Sequence, residues 1–117
     1  MEQRRSERKT VSLDAVIACR RFGLIRGRMV DLGLDGLYIR AETSIVPIGA
    51  EVTVTFQPED GVRGAWLDMK GRVRHQSLQG FGVEFADPEP GCLEVLRRLL
   101  PAMPPVPAKA APALRVI

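Results

Sequence analysis

Arg4, Arg5 and Arg8 stand within five positions of one another, and a stretch of carboxylates and glycines follows at Asp31-Leu32-Gly33-Leu34-Asp35-Gly36. A guanidinium fork makes planar, bidentate contacts to phosphate or to a base edge, which a lysine ammonium does not. Arginine on guanine O6 and N7 is the commonest specific base contact and contributes about 1–3 kcal/mol of discrimination. Asp31 is suited to accept from guanine N1 and N2, and Gly36 lets backbone approach closely because no side chain intervenes. Together these residue types suit a non-covalent pocket for phosphate charge, a purine Hoogsteen edge and a guanine donor pair. Without a ligand the same residues read as a basic leader and a loop whose glycines serve the turn.

For the two groups to meet, the chain between them has to double back. Leu13, Ala15, Ile17 and Cys19 alternate with Asp14, Val16, Ala18 and Arg20, and a second run from Ile25 to Val30 follows the turn-like Arg21-Phe22-Gly23. This pattern predicts an antiparallel hairpin. Strands that begin near residue 12 and end near residue 31 return to the same sheet edge, which puts the arginines within reach of Asp31.

The rest of the chain supplies the remaining strands. Gly36 to Ala41 is a short third strand, Pro47-Ile48-Gly49 a turn, and Glu51 to Gln57 a strand with Val52, Val54 and Phe56 on one face. Pro58 to Gly64 is another turn. Ala65 to His75 follows, with Leu67, Met69, Val73 and His75 on one face and Gly71 as a bulge or close-approach point. Gly80 to Phe85 closes the series with Phe81, Val83 and Phe85 inward. Six strands at this spacing predict a small antiparallel barrel or sandwich. After Asp87 and Pro88, Leu93, Leu96, Leu99 and Leu100 recur at helical spacing, and Pro101 stops the helix. Residues 101–117, rich in proline and alanine, are expected to be a disordered or extended tail.

Composition narrows the function. With 117 residues, 45% hydrophobic and 26% charged, the chain fits one globular domain with a single core. Its longest apolar run, Ala15 to Cys19, is far short of the roughly 20 residues of a spanning helix. Ser6 to Thr10 is polar where a secretory signal would be apolar, so a cytoplasmic protein with Cys19 and Cys92 as reduced packing thiols is expected. Two distant cysteines and one histidine, His75, make no metal site. The formal charge of +3 is uneven: residues 1–30 carry eight basic and three acidic side chains, a net of +5, which leaves −2 for the rest. Such a separation points to an anionic partner. Nucleic-acid binding would need stacking aromatics over a basic groove, and with six aromatic residues, Trp66 and Tyr38 among them, DNA or RNA is not expected. Nothing resembles a catalytic triad, metal cluster or phosphate-binding glycine loop, so an enzyme is not expected either. His75 and Met69 default to structural roles.

Arg4-x-x-x-Arg8 followed by Asp31-x-Gly33-x-x-Gly36 resembles the paired R-x-x-x-R and D/N-x-S-x-x-G motifs of the PilZ domain, a bacterial receptor module for the second messenger cyclic di-GMP. Gly80-Phe81-Gly82-Val83-Glu84-Phe85 is similar to the family's last strand, so the resemblance covers roughly residues 3 to 100. It implies an all-β fold, a six-stranded antiparallel PilZ-type β-barrel with a short C-terminal α-helix. Residues 1–12 would be the ligand-binding segment, 13–100 the barrel and helix, and 101–117 the tail. Arg4, Arg5 and Arg8 would grip phosphates and guanine edges, while Asp31, Gly33 and Gly36 would form the barrel half of the site. The implied protein is a non-catalytic cyclic di-GMP receptor without cofactor, metal or membrane insertion, acting as a monomer or ligand-dependent dimer. Its arginine segment would change conformation on binding and signal to a partner protein in motility, polysaccharide or biofilm control. One position departs: Gly33 replaces the usual serine. The missing hydroxyl hydrogen bond, about 0.5–1.5 kcal/mol, implies roughly two- to tenfold weaker binding. It also favours the alternative, a PilZ-like protein-interaction adaptor with weak or no ligand binding.

Overall fold

The alternating segments form strands β1 (Lys9–Cys19), β2 (Gly23–Leu32), β3 (Gly36–Arg40), β4 (Glu51–Phe56), β5 (Leu67–Ser77) and β6 (Gly80–Phe85). Helix α1 (Pro90–Leu99) and a 3-10 turn (Leu100–Ala102) follow. This computed structural model describes residues 7–41, 46–58 and 66–106. Arg4, Arg5, most of the turn expected at 58–64, and residues 107–117 lie outside the described residues.

All pairings are antiparallel, in the order β1-β2-β3-β6-β5-β4, and β4 pairs with β1 to close the barrel. Closure leaves the inward side of each strand with no route to water, so the alternate residues become the core. Ala15, Ile17 and Cys19 meet Val52, Val54 and Phe56 across the β1–β4 pairing, and Phe81 and Val83 lie inside β6. The β1–β2 hairpin turns where expected: Phe22 N–H donates to the Cys19 carbonyl at 3.1 Å and Gly23 takes φ +79°, a left-handed conformation that favours glycine.

Bulges decide which side chains leave the core. Alternation from Met29 would turn Asp31 inward, but the β2–β3 register shifts between Met29 and Asp31. Leu32 becomes fully buried and Asp31 faces outward. The shift between Val73 and His75 does the same on β5. His75, expected on the inner face with Leu67, Met69 and Val73, is therefore exposed and lies over Gly82. Gly71 is the close-approach point and not the bulge: a Cβ there would run into the Glu84 carbonyl oxygen.

Helix α1 starts at Pro90, whose missing N–H costs nothing in the first turn, and lays Leu96 on the core. Leu96 and Leu100 are buried, while Leu93 and Leu99 are half-buried. Beside the helix, burial raises the pKa of the half-buried Cys92 thiol, with Glu89 adding to the effect. Cys92 is expected to react with iodoacetamide at neutral pH more slowly than free cysteine, because the thiolate is the nucleophile. Peptide mapping after timed alkylation measures it; a rate equal to that of free cysteine would contradict this environment.

Two expected boundaries move. Residues 9–12, assigned to the N-terminal segment, belong to β1. Of the two forms expected for the tail, residues 103–106 take the extended one: after the 3-10 turn, Pro105 forms an antiparallel bridge with Lys9. Proline lacks the N–H of a strand residue, so the segment pairs through the Pro104 carbonyl, which accepts from Thr10 N–H, and through Val106 N–H, which donates to the Arg8 carbonyl.

Candidate functional site

The β1–β2 register pairs Thr10 with Asp31 and Lys9 with Leu32, so the residue before β1 and the loop after β2 share one barrel end. Arg8 reaches across that loop. Its Nη1 donates to Asp31 Oδ1 at 2.7 Å and its Nε to Asp35 Oδ1 at 3.3 Å. The Arg8, Asp31 and Asp35 side chains are 15%, 17% and 27% exposed, enough to remain hydrated and little enough for the charges to be felt.

Both motif glycines form the floor under this guanidinium. A Cβ on Gly33 would lie 3.0 Å from Arg8 Cδ and 2.9 Å from the Glu7 carbonyl oxygen; one on Gly36 would lie 3.2 Å from Arg8 Nη2. Gly36 has a second constraint, since a Cβ there would collide with the Val83 carbonyl oxygen across the β3–β6 pairing. The loop is tied down by Gly33 N–H to the Gly36 carbonyl and by Phe85 N–H to the Asp35 carbonyl, each at 2.9 Å. Arg8 is thus an oriented cation with further N–H groups, set on a rigid loop beside two carboxylates. Such a group suits an anion or a base edge with acceptors, and the carboxylates suit a base edge with donors.

Of the residues singled out in the sequence, Arg8, Asp31, Gly33 and Gly36 come together. Not all of the basic residues among the first 30 join them. Arg20 and Arg21 lie at the hairpin turn, beyond the far end of the 11-residue β1, roughly 35–40 Å away at strand rise. Arg28 pairs with Asp14 at 3.5 Å. Asp35, whose carboxylate is the second partner of Arg8, was not singled out in the sequence; its place one residue before Gly36 was the available signal. Tyr38 is also at the site's edge. It pairs laterally with Asp31 and, on its other side, with Gly82, beyond which stands His75. The Tyr38 hydroxyl and Ser77 Oγ share a 2.6 Å hydrogen bond that holds the ring in place on the outer face. Trp66, the other aromatic candidate, is 62% exposed just before β5.

A closed six-stranded antiparallel barrel with a C-terminal helix is the fold expected from the resemblance, and the Arg8–Asp31 contact is the one expected from the hairpin. The sequence matches the family model of the PilZ domain over residues 2–101. The chain belongs to the PilZ family. Among solved structures, the PilZ domain of YcgR from Escherichia coli, determined with c-di-GMP, matches this PilZ domain with a TM-score of 0.70 at 14% identity, covering 96% of each chain. The Bacillus subtilis inhibitor of motility MotI (DgrA) matches with a TM-score of 0.68 at 15% identity, over 87% of this chain and 54% of its own. The chain thus spans about half the length of that protein. No curated protein matches the sequence significantly. Among the described residues, no helix is long and apolar enough to cross a membrane.

Proposed function

We propose that this PilZ domain is a non-catalytic receptor for cyclic di-GMP in the bacterial cytoplasm, and that ligand capture reorders its N-terminal arginine segment for a partner protein in motility, polysaccharide or biofilm control. The observation that carries the reading is the Arg8 guanidinium laid across Gly33 and Gly36 and held by Asp31 and Asp35. Family membership and the ligand in the YcgR structure support cyclic di-GMP as the dinucleotide. Arg8 offers N–H groups to a phosphate or to guanine O6 and N7, Asp31 accepts from guanine N1 and N2, and Arg4 and Arg5 add charge to close over the ligand. A heteronuclear NMR titration tests this: amides of residues 4–8 and 31–36 shift together on addition of cyclic di-GMP. A spectrum unchanged at millimolar ligand overturns it.

The adaptor reading keeps one specific observation in its favour. Arg8 is already engaged by two carboxylates, so a ligand has to compete with them. The same titration decides between the two.

Gly33 takes on a meaning beyond a missing hydroxyl. A Cβ there would stand 2.9 Å from the Glu7 carbonyl oxygen and 3.0 Å from Arg8 Cδ, so any side chain pushes the Glu7–Arg8 segment outward by a few tenths of an ångström. Gly33→Ser is therefore expected to lift Arg8 from the loop and leave affinity unchanged or weaker, where a missing-hydroxyl account expects it to rise roughly two- to tenfold. Calorimetry on the variant distinguishes them, and a gain in affinity would contradict the steric account.

A further inference from the structure

The first residues of β1 have an unusual second neighbour. β1 pairs with β4 only from Ala15 to Cys19, so residues near Lys9 are without β4 on that side. The C-terminal segment occupies the gap. Thr10 N–H donates to the Pro104 carbonyl at 2.6 Å, Val106 N–H donates to the Arg8 carbonyl at 3.3 Å, and Thr10 Oγ1 donates to the Pro105 carbonyl at 3.3 Å. Met103 packs against the core at the root of this segment. Between Met103 and residue 107, Val106 supplies the one backbone donor, because residues 104 and 105 are both proline. The two prolines also present no N–H to any further strand, so the pairing ends there.

From this geometry we infer that residues 104–106 are positioning residues for ligand capture: they clamp the backbone of Arg8 to Thr10 and hold the Arg8 side chain over its loop. The inference rests on the receptor reading above and adds a control element to it. Arg8 lies between the Gly33 loop on one side and this strap on the other. Ordering the arm in advance removes part of the entropy cost that binding would otherwise carry. Coupling is reciprocal by thermodynamic necessity, so the ligand must tighten the strap by the factor with which the strap tightens the ligand. Whatever draws the C-terminal segment away lowers ligand affinity.

Val106→Pro deletes the single donor while φ near −65° remains compatible with an extended chain; Val106→Ala keeps the donor and serves as control. Calorimetry with cyclic di-GMP is expected to show affinity about three- to tenfold weaker in Val106→Pro, the size of one backbone hydrogen bond, and within about twofold of wild type in Val106→Ala. Hydrogen exchange without ligand is expected to be faster at Thr10 N–H in Val106→Pro, and ligand is expected to slow exchange at Val106 N–H in the wild type. A purely structural strap would move neither affinity nor the ligand-dependent exchange. Equal or tighter binding by Val106→Pro overturns the proposal while leaving the receptor reading intact. Absence of binding by the wild type overturns the receptor reading and the coupling with it, and unchanged Thr10 exchange in Val106→Pro overturns the clamp itself.

Discussion

Arg8→Ala is expected to weaken cyclic di-GMP binding by about 100-fold or more while the barrel stays folded. The guanidinium is the oriented cation of the site, and hydrogen bonds to charged groups contribute about 1.5–3 kcal/mol each, so losing even one to the ligand is roughly 10- to 100-fold. Its removal also takes the Arg8 charge away from Asp31 and Asp35, which then face an incoming dianion less well neutralised. Stability should fall by only about 1 kcal/mol, because both carboxylates keep access to water. Arg8→Lys separates charge from geometry. A lysine retains the charge but has no fork to span Asp31 and Asp35 together, so recovery of less than about tenfold is expected. Isothermal calorimetry with circular dichroism on the three proteins makes the measurement. Wild-type affinity in Arg8→Ala would remove the basis of the proposed function.

The second large effect falls on a residue of the other motif, for a different reason. Gly36→Ala is expected to destabilise the barrel by about 1–3 kcal/mol, the usual cost of inserting atoms where packing has no room. That corresponds to roughly 4–8 °C of thermal midpoint per kcal/mol in a domain of this size. The new methyl would meet the Val83 carbonyl, which is fixed in the β3–β6 ladder and has no flexible side chain to yield. Gly33→Ala is the informative partner, because its methyl meets the Glu7–Arg8 segment before β1. A shift of a few tenths of an ångström there costs little, so this variant should keep nearly its full thermal stability. Thermal denaturation of both proteins checks the contrast; a Gly36→Ala midpoint equal to wild type would show that β3 and β6 can separate freely.

These two residues also show how far the sequence can be read. Arg8 and Asp31 were legible as partners because a hairpin has one register consequence: its first and last residues share an edge, whatever lies elsewhere. The inward faces of β1 and β4 were legible for a similar reason, since alternation has a period of two and no long-range input. Asp35 was not legible as a second partner of Arg8, because the path of a side chain over a loop depends on the loop's fold. Gly36 was legible as a close-approach point, but the sequence did not say that the Val83 carbonyl, 47 positions later, comes up against it. His75 was assigned to the inner face by strict alternation, and a one-residue bulge with no compositional mark turned it out.

Local residue pattern is therefore enough for the set of strands, the hairpin that unites Arg8 with Asp31, and membership in a family of barrels with two linked motifs. Tertiary structure alone decided the outward turn of Asp31, the double carboxylate hold on Arg8, and the proline-rich strap across Thr10. The division follows from the range of the forces involved. Periodicity and turn chemistry act over a few residues, whereas bulges, ring closure and the docking of a distant segment are settled only when non-neighbouring strands compete for the same hydrogen bonds.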